Sequence, residues 1–183
     1  MMSTLVALGQ PMIYMGQEYG IERERNRIDI NWAKYPQTHS FYEWTKRLIK
    51  LRRHSRSLKL SGYNPTEEGK FEWILGPWMD EQRGGGKRVI GWRAADTDAD
   101  GSGERMLVML NFEGCALNVD VHFGLPGKWE KLADIDNAQD GNLEGLIAGT
   151  NNQSEAVVHD FILPPYSGFI YKYADTLREA VFV

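Results

Sequence analysis

Two stretches of this chain carry side chains at spacings that chemistry could use. The first is Asp96-Thr97-Asp98-Ala99-Asp100-Gly101. Alternating aspartates followed by glycine match the first half of a calcium loop in which side chains at positions one, three and five converge on one ion. Glu104, at the ninth position, could add a ligand through water. The twelfth position calls for a bidentate glutamate and holds Leu107, and the flanks have strand rather than helix character. A helix–loop–helix calcium hand is therefore excluded. A looser calcium loop stays open, and an acidic hairpin tip is the plainer alternative. Asp134, Asp136 and Asp140 form a poorer set, interrupted by Ala138. No other cofactor is implied. The second stretch is Gln17-Glu18 with the loop that follows, which brings Arg23, Arg25, Arg27 and Trp32. Polar side chains and an indole at the end of a strand can wall a cleft. The competing reading has Glu18 hold the strand end in place and the arginines lie solvated or ion-paired.

The elements that must position these residues are marked by periodicity. Residues 2–8 read as the last turns of a helix stopped at Gly9, which can take positive φ. Pro11 cannot continue a helix, so a strand begins, and Met12-Ile13-Tyr14-Met15 is an unbroken apolar run that suits a parallel strand buried on both faces. Gly16 then turns the backbone and places Glu18 at the strand's C-terminal mouth. Ser40-Phe41-Tyr42-Glu43 is a capping box. Phe41, Trp44, Leu48 and Leu51, broadened by Ile49, predict a helix over about 41–54, and Lys50, Arg52, Arg53, His54 and Arg56 complement its C-terminal partial charge.

From residue 58 the period becomes two. Phe71, Trp73 and Leu75 alternate, as do Leu117, Val119, Val121 and Phe123, and then Phe169, Tyr171 and Tyr173. Val89–Ala94, Trp129–Leu132 and Val157–Leu163 are further strands, and the continuous run Met106–Phe112 predicts a central one. Turn signals lie between them, at 84–86, 100–103, 126–127, 151–152 and 164–165. The expectation is a mainly β chain, an antiparallel Greek-key-type sandwich preceded by a helix and strand segment. Trp73, Trp92 and Trp129 are expected in its core. Residues 174–183 read as a helical or frayed tail.

Bulk properties exclude several classes. The chain has 183 residues, 42% of them apolar, and a net charge of -4, which argues against general nucleic-acid binding. No apolar run is long enough to span a membrane. Cys115 is the single cysteine, so there is no internal disulfide. No signal peptide is read after Met1-Met2; localisation stays unknown, with the cytoplasm as the default. Gly84-Gly85-Gly86-Lys87 lacks the Ser/Thr and helix of a phosphate loop and reads as a flexible hairpin.

Gly9-x-Pro11-x-Ile13-Tyr14-x-Gly16-x-Glu18 resembles the eighth barrel strand of the α-amylase superfamily (glycoside hydrolase family 13), the retaining α-glucan hydrolases and transglycosylases. Phe41–Leu58, with Leu48-Ile49-Lys50-Leu51-Arg52-Arg53, resembles the family's eighth barrel helix. Leu107–Phe112 resembles the Asn-Phe strand of its C-terminal domain, and Leu163-Pro164-Pro165-Tyr166-Ser167 the Leu-Pro-Pro entry to a closing strand. The resemblance implies a C-terminal fragment: 1–57 a remnant of the (β/α)8 barrel, 58–174 an antiparallel sandwich, 175–183 a tail.

It also implies that the nucleophile, the acid and the stabilising aspartate, carried at the ends of barrel strands four, five and seven, all precede Met1. Retaining hydrolysis needs two carboxyl groups about 5 Å apart. None of His39, His54, His122 or His159 stands in the family's His-Asp context. Catalytic residues are thus expected to be absent, and the chain alone inactive, a support for a parent enzyme that cleaves or transfers α-glucosidic bonds. Gln17, Glu18, Arg23 and Trp32 would wall the cleft for an α-glucan or maltooligosaccharide. Leu5, Met12, Ile13 and Tyr14 would face a missing barrel and could drive oligomerisation. Trp78, beside Pro77 in a loop, is the best candidate for a surface sugar platform. The alternatives are a non-catalytic carbohydrate-binding module, which needs a row of exposed aromatics on one sandwich face, and a ligand-free interaction domain.

Overall fold

The computed structural model describes residues 1–20, 40–59, 70–97, 103–134, 146–148 and 156–174. Helices α1 (Met2–Val6) and α2 (Ser40–His54) precede eight strands. These are β1 (Phe71–Leu75), β2 (Val89–Thr97), β3 (Gly103–Asn111), β4 (Leu117–His122), β5 (Gly127–Ala133), β6 (Leu146–Ala148), β7 (Val157–Leu163) and β8 (Gly168–Ala174). A six-stranded sheet has the order β1-β2-β3-β8-β5-β6, and β4 and β7 make a second, two-stranded sheet. Every pairing is antiparallel, so the chain is mainly β, as its periodicity predicts.

The elements stack in three layers: helices, large sheet, small sheet. Met2, Leu5, Val6, Leu48 and Leu58 pack on Trp92, Ala94, Met106, Val108, Leu110 and Ile170 of the large sheet. On its other face Ile74, Leu75, Val89, Leu107, Met109, Trp129 and Tyr171 meet Leu117, Val119, Val121, Phe123 and Leu163. Strand β3 lies between these cores, and Met106 through Asn111 are all buried. That explains its continuous apolar run: with both faces covered, neither parity can be polar.

Several expectations are corrected. Met12–Met15 forms no strand; Met12 is 80% exposed and Tyr14 44%. A parallel strand takes its hydrogen bonds and both apolar faces from neighbours, and here the segment instead turns back on itself. The Tyr14 N–H donates to Gln17 Oε1 at 2.8 Å and the Gln17 N–H to the Tyr14 carbonyl at 3.0 Å. Leu5 does not face outward without a partner but is buried between α1 and the sheet. Arg52 does more than complement the end of its own helix. It is buried, and its guanidinium donates to the carbonyls of Leu5 (2.7 Å), Ala7 (2.8 Å) and Gly9, the last carbonyls of α1 and the turn beyond it. Trp92 and Trp129 are core, whereas Trp73 is exposed. The short strand β6 is an addition, and the tail beyond Ala174 lies outside the described residues.

Two polar knots join the layers. After α2, Glu104 on β3 accepts hydrogen bonds through Oε2 from Ser55 Oγ and from the Ser57 N–H (2.8 Å), and its carbonyl accepts from Ser57 Oγ at 2.9 Å. At the other end of β3, the buried Asn111 donates through Nδ2 to the carbonyls of Cys115, Leu163 and Pro164, while its Oδ1 accepts from the Glu113 N–H. The Asn-Phe and Leu-Pro-Pro segments therefore meet through one side chain. Glu113 extends the knot: its carboxylate accepts from the Arg88 N–H (2.9 Å) and guanidinium (2.8 Å), and its carbonyl from the Tyr166 N–H.

The hydrogen bonds from the Arg88 side chain, then from its backbone N–H, hold the Glu113 carboxyl down at about 2, against an ordinary 4.5. A depressed folded-state pKa contributes stability that is complete above the unfolded value and lost as pH falls through the folded one. Glu113→Gln should therefore lower the urea midpoint at pH 7. The gap to the wild type should narrow steadily as pH drops from about 4.5 toward about 2. A gap independent of pH would contradict this.

Candidate functional site

Three places hold the residues singled out by the sequence. At the first, Gly16 takes φ 97° and Gly20 φ 68°, bracketing a 3-10 turn at Gln17–Tyr19. Both candidate cleft residues face this turn: Gln17 accepts from Tyr14 as above, and Glu18 Oε2 accepts the Gly16 N–H at 2.8 Å. Such contacts hold a loop in shape. Tyr19 is buried and stacks on Tyr42 of α2, ring centroids 5.0 Å apart. Between this segment and α2, Ile13, Met15, Glu18, Tyr42, Thr45 and Ile49 line an open groove. Arg23 and Trp32 lie outside the described residues.

At the second place, the acidic run divides. Asp96 and Glu104 are cross-strand partners in the β2–β3 register. Asp96 Oδ2 accepts from Arg56 Nε at 2.8 Å, and Glu104 serves Ser55 and Ser57, with the Lys172 ammonium 3.7 Å from Oε1. Both carboxylates tie the linker after α2 to the sheet, a use that the loop's local pattern does not disclose. Asp98 and Asp100 lie outside the described residues, as do Asp136 and Asp140. Among the described residues no group of three or more His, Cys, Asp or Glu side chains is placed to hold a metal ion.

The third place is the β1–β2 connection, and it is not a flexible hairpin. The Gly76 N–H donates to the Arg83 carbonyl, Met79 to Gly76, Gly85 to Asp80 and Gly86 to Pro77, at 2.8–3.1 Å. Asp80 caps the 3-10 turn Glu81–Arg83 by accepting the Arg83 N–H at 2.9 Å, and it also receives Arg83 Nε at 2.7 Å. These hydrogen bonds from Arg83, the side-chain one foremost, hold the Asp80 carboxyl below its ordinary range. Gly85 is a packing requirement, since a Cβ there would lie 2.4 Å from the Met79 carbonyl oxygen, whereas Gly86 takes a positive φ of 71° with open space beside it.

This loop displays Trp78, 59% exposed, edge-on to Trp73, itself 37% exposed, with ring centroids 5.5 Å apart. Trp73 also meets Phe71 at 5.0 Å and Trp92 at 5.8 Å. Alternation alone placed Trp73 in the core. The register shift between Trp73 and Leu75, and the place of β1 at the sheet edge, leave it partly open. The signal that could have found the pair is the spacing of Trp73 and Trp78 about Gly76-Pro77, a turn that folds one indole back on the other.

No family model matches the chain, and no curated protein sequence matches it. Solved structures do. A pullulanase complexed with maltotriose from Anoxybacillus sp. LM18-11 aligns with a TM-score of 0.54 at 15% identity, over 94% of this chain and 22% of its own. The catalytic module of SpuA, a multi-modular glycogen-degrading pneumococcal virulence factor, aligns with a TM-score of 0.50 at 18% identity, over 78% of this chain and 19% of its own. At such identities the likeness is one of fold. This chain spans about a fifth of the length of the structures it matches.

Proposed function

We propose that this chain is the C-terminal portion of an α-glucan-active glycoside hydrolase or transglycosylase, in which it supports the catalytic barrel and supplies none of the reacting carboxylates. The observation that carries this reading is the extent of the fold match: 94% of the chain aligns with about a fifth of a pullulanase. The segments resembling the family's C-terminal domain add to it, because Asn111 physically joins them. Glu18 and Gln17 serve their own turn, which suits a supporting role better than a reacting one.

Support has a structural form in this reading. Helix α2 contributes Leu48 to the core on the large sheet, with Trp44 and Leu51 partly buried beside it, so a barrel helix in this position would be shielded on its apolar side. Met12, Tyr14 and Met15 would meet the remainder of the barrel and are exposed in this chain.

Incubated with amylose or pullulan, the purified chain should release no reducing sugar; release by the pure protein would overturn the assignment. The exposed apolar segment should also drive concentration-dependent association in light scattering, weakened by Met12→Ser with Tyr14→Ser. A monodisperse monomer of the wild type would contradict that part of the account.

A further inference from the structure

We propose that the corner formed by Trp73 and Trp78 is a non-catalytic binding site for a neutral α-glucan chain. Its ligand class rests on the functional reading above; its location rests on geometry. Trp73 and Trp78 are the exposed tryptophans among the described residues, and they touch. An indole offers a broad apolar face and a polar edge, the complement of a pyranose ring with its C–H face and rim of hydroxyls.

The corner is built rather than incidental. Trp78 stands on the hydrogen-bonded loop described above, so little conformational freedom remains to be lost on binding. Its indole is seated on Gly76, where a Cβ would lie 2.7 Å from two ring carbons. Trp73 is the hinge between Trp78 and an adjoining groove that Phe71, Ile90, Trp92, Leu110 and Ser3 also line. Trp92 in that wall is 3% exposed, and its indole N–H has no acceptor among the described residues.

Charge and size select the occupant. The groove is lined without any charged side chain; past Trp78 the chain carries Asp80, Glu81 and Arg83, of which Asp80 and Arg83 pair at 2.6 Å. An ionic ligand would lose its hydration with no counter-charge to replace it. A protein partner is disfavoured by area. Even fully buried, two indoles contribute about 150–250 Å² each, short of the roughly 1,000 Å² that a stable interface buries. One or two sugar rings match that size.

Calorimetric titration of the full chain with maltohexaose should give a Kd of about millimolar or tighter. Trp78→Ala should weaken binding at least tenfold while leaving the urea midpoint unchanged. Gly76→Ala, which pushes the indole off its seat without removing it, should also weaken binding. Cellohexaose, the β-linked isomer, should bind at least tenfold more weakly than maltohexaose. Absence of maltohexaose binding, binding unaffected by Trp78→Ala, or equal affinity for cellohexaose would each overturn the site. These failures leave the functional reading standing, whereas amylose hydrolysis by the chain would overturn that reading and not the Trp78 result.

Discussion

The contact on which the arrangement depends is the buried guanidinium of Arg52. A charge removed from water needs close partners, and this one finds them in the carbonyls of Leu5, Ala7 and Gly9. Burial pulls its pKa below the usual arginine value, yet the planar fork still satisfies three acceptors at once, a task for which lysine lacks the geometry. The consequence is mechanical. Helix α1 has five residues, too few to be stable alone. Fixed to α2 by Arg52, it can lay Met2, Leu5 and Val6 on the large sheet. That layer covers one face of β3, while β4 and β7 cover the other.

The fold was largely legible in the sequence because alternation and helical spacing are local records of burial. Seven of the eight strands and α2 can be placed that way. What was not legible depended on partners distant in sequence. An apolar run such as Met12–Met15 looks the same whether strands flank it or solvent does. Local spacing offered Glu104 only as a possible water-mediated ligand or part of an acidic tip, because Ser55 and Ser57, from which its carboxylate accepts, lie 47 to 49 residues away. Trp73 looked buried because a bulge leaves no mark in a period of two. Strand β6 is three residues long and presents no periodicity to detect.

The same distinction organises the functional reading. Carboxylates and amides that could have formed a reacting site are committed to holding turns and linkers: Glu18 to Gly16, Glu104 to Ser57, Asn111 to Leu163 and Pro164. Among the described residues, the corner of Trp73 and Trp78 offers an exposed aromatic surface. It sits on the loop that its own hydrogen bonds make rigid.

Central to this account is that α1, α2 and the large sheet form one cooperative body, so that a helix resting on the sheet is held as firmly as the sheet itself. Native-state amide hydrogen exchange tests this most directly. The amides of α2 around Leu48 and those of β3 around Val108 should exchange with the same opening free energy and respond equally to low denaturant. Exchange of α2 through a separate, lower-energy opening, with β3 still protected, would contradict it.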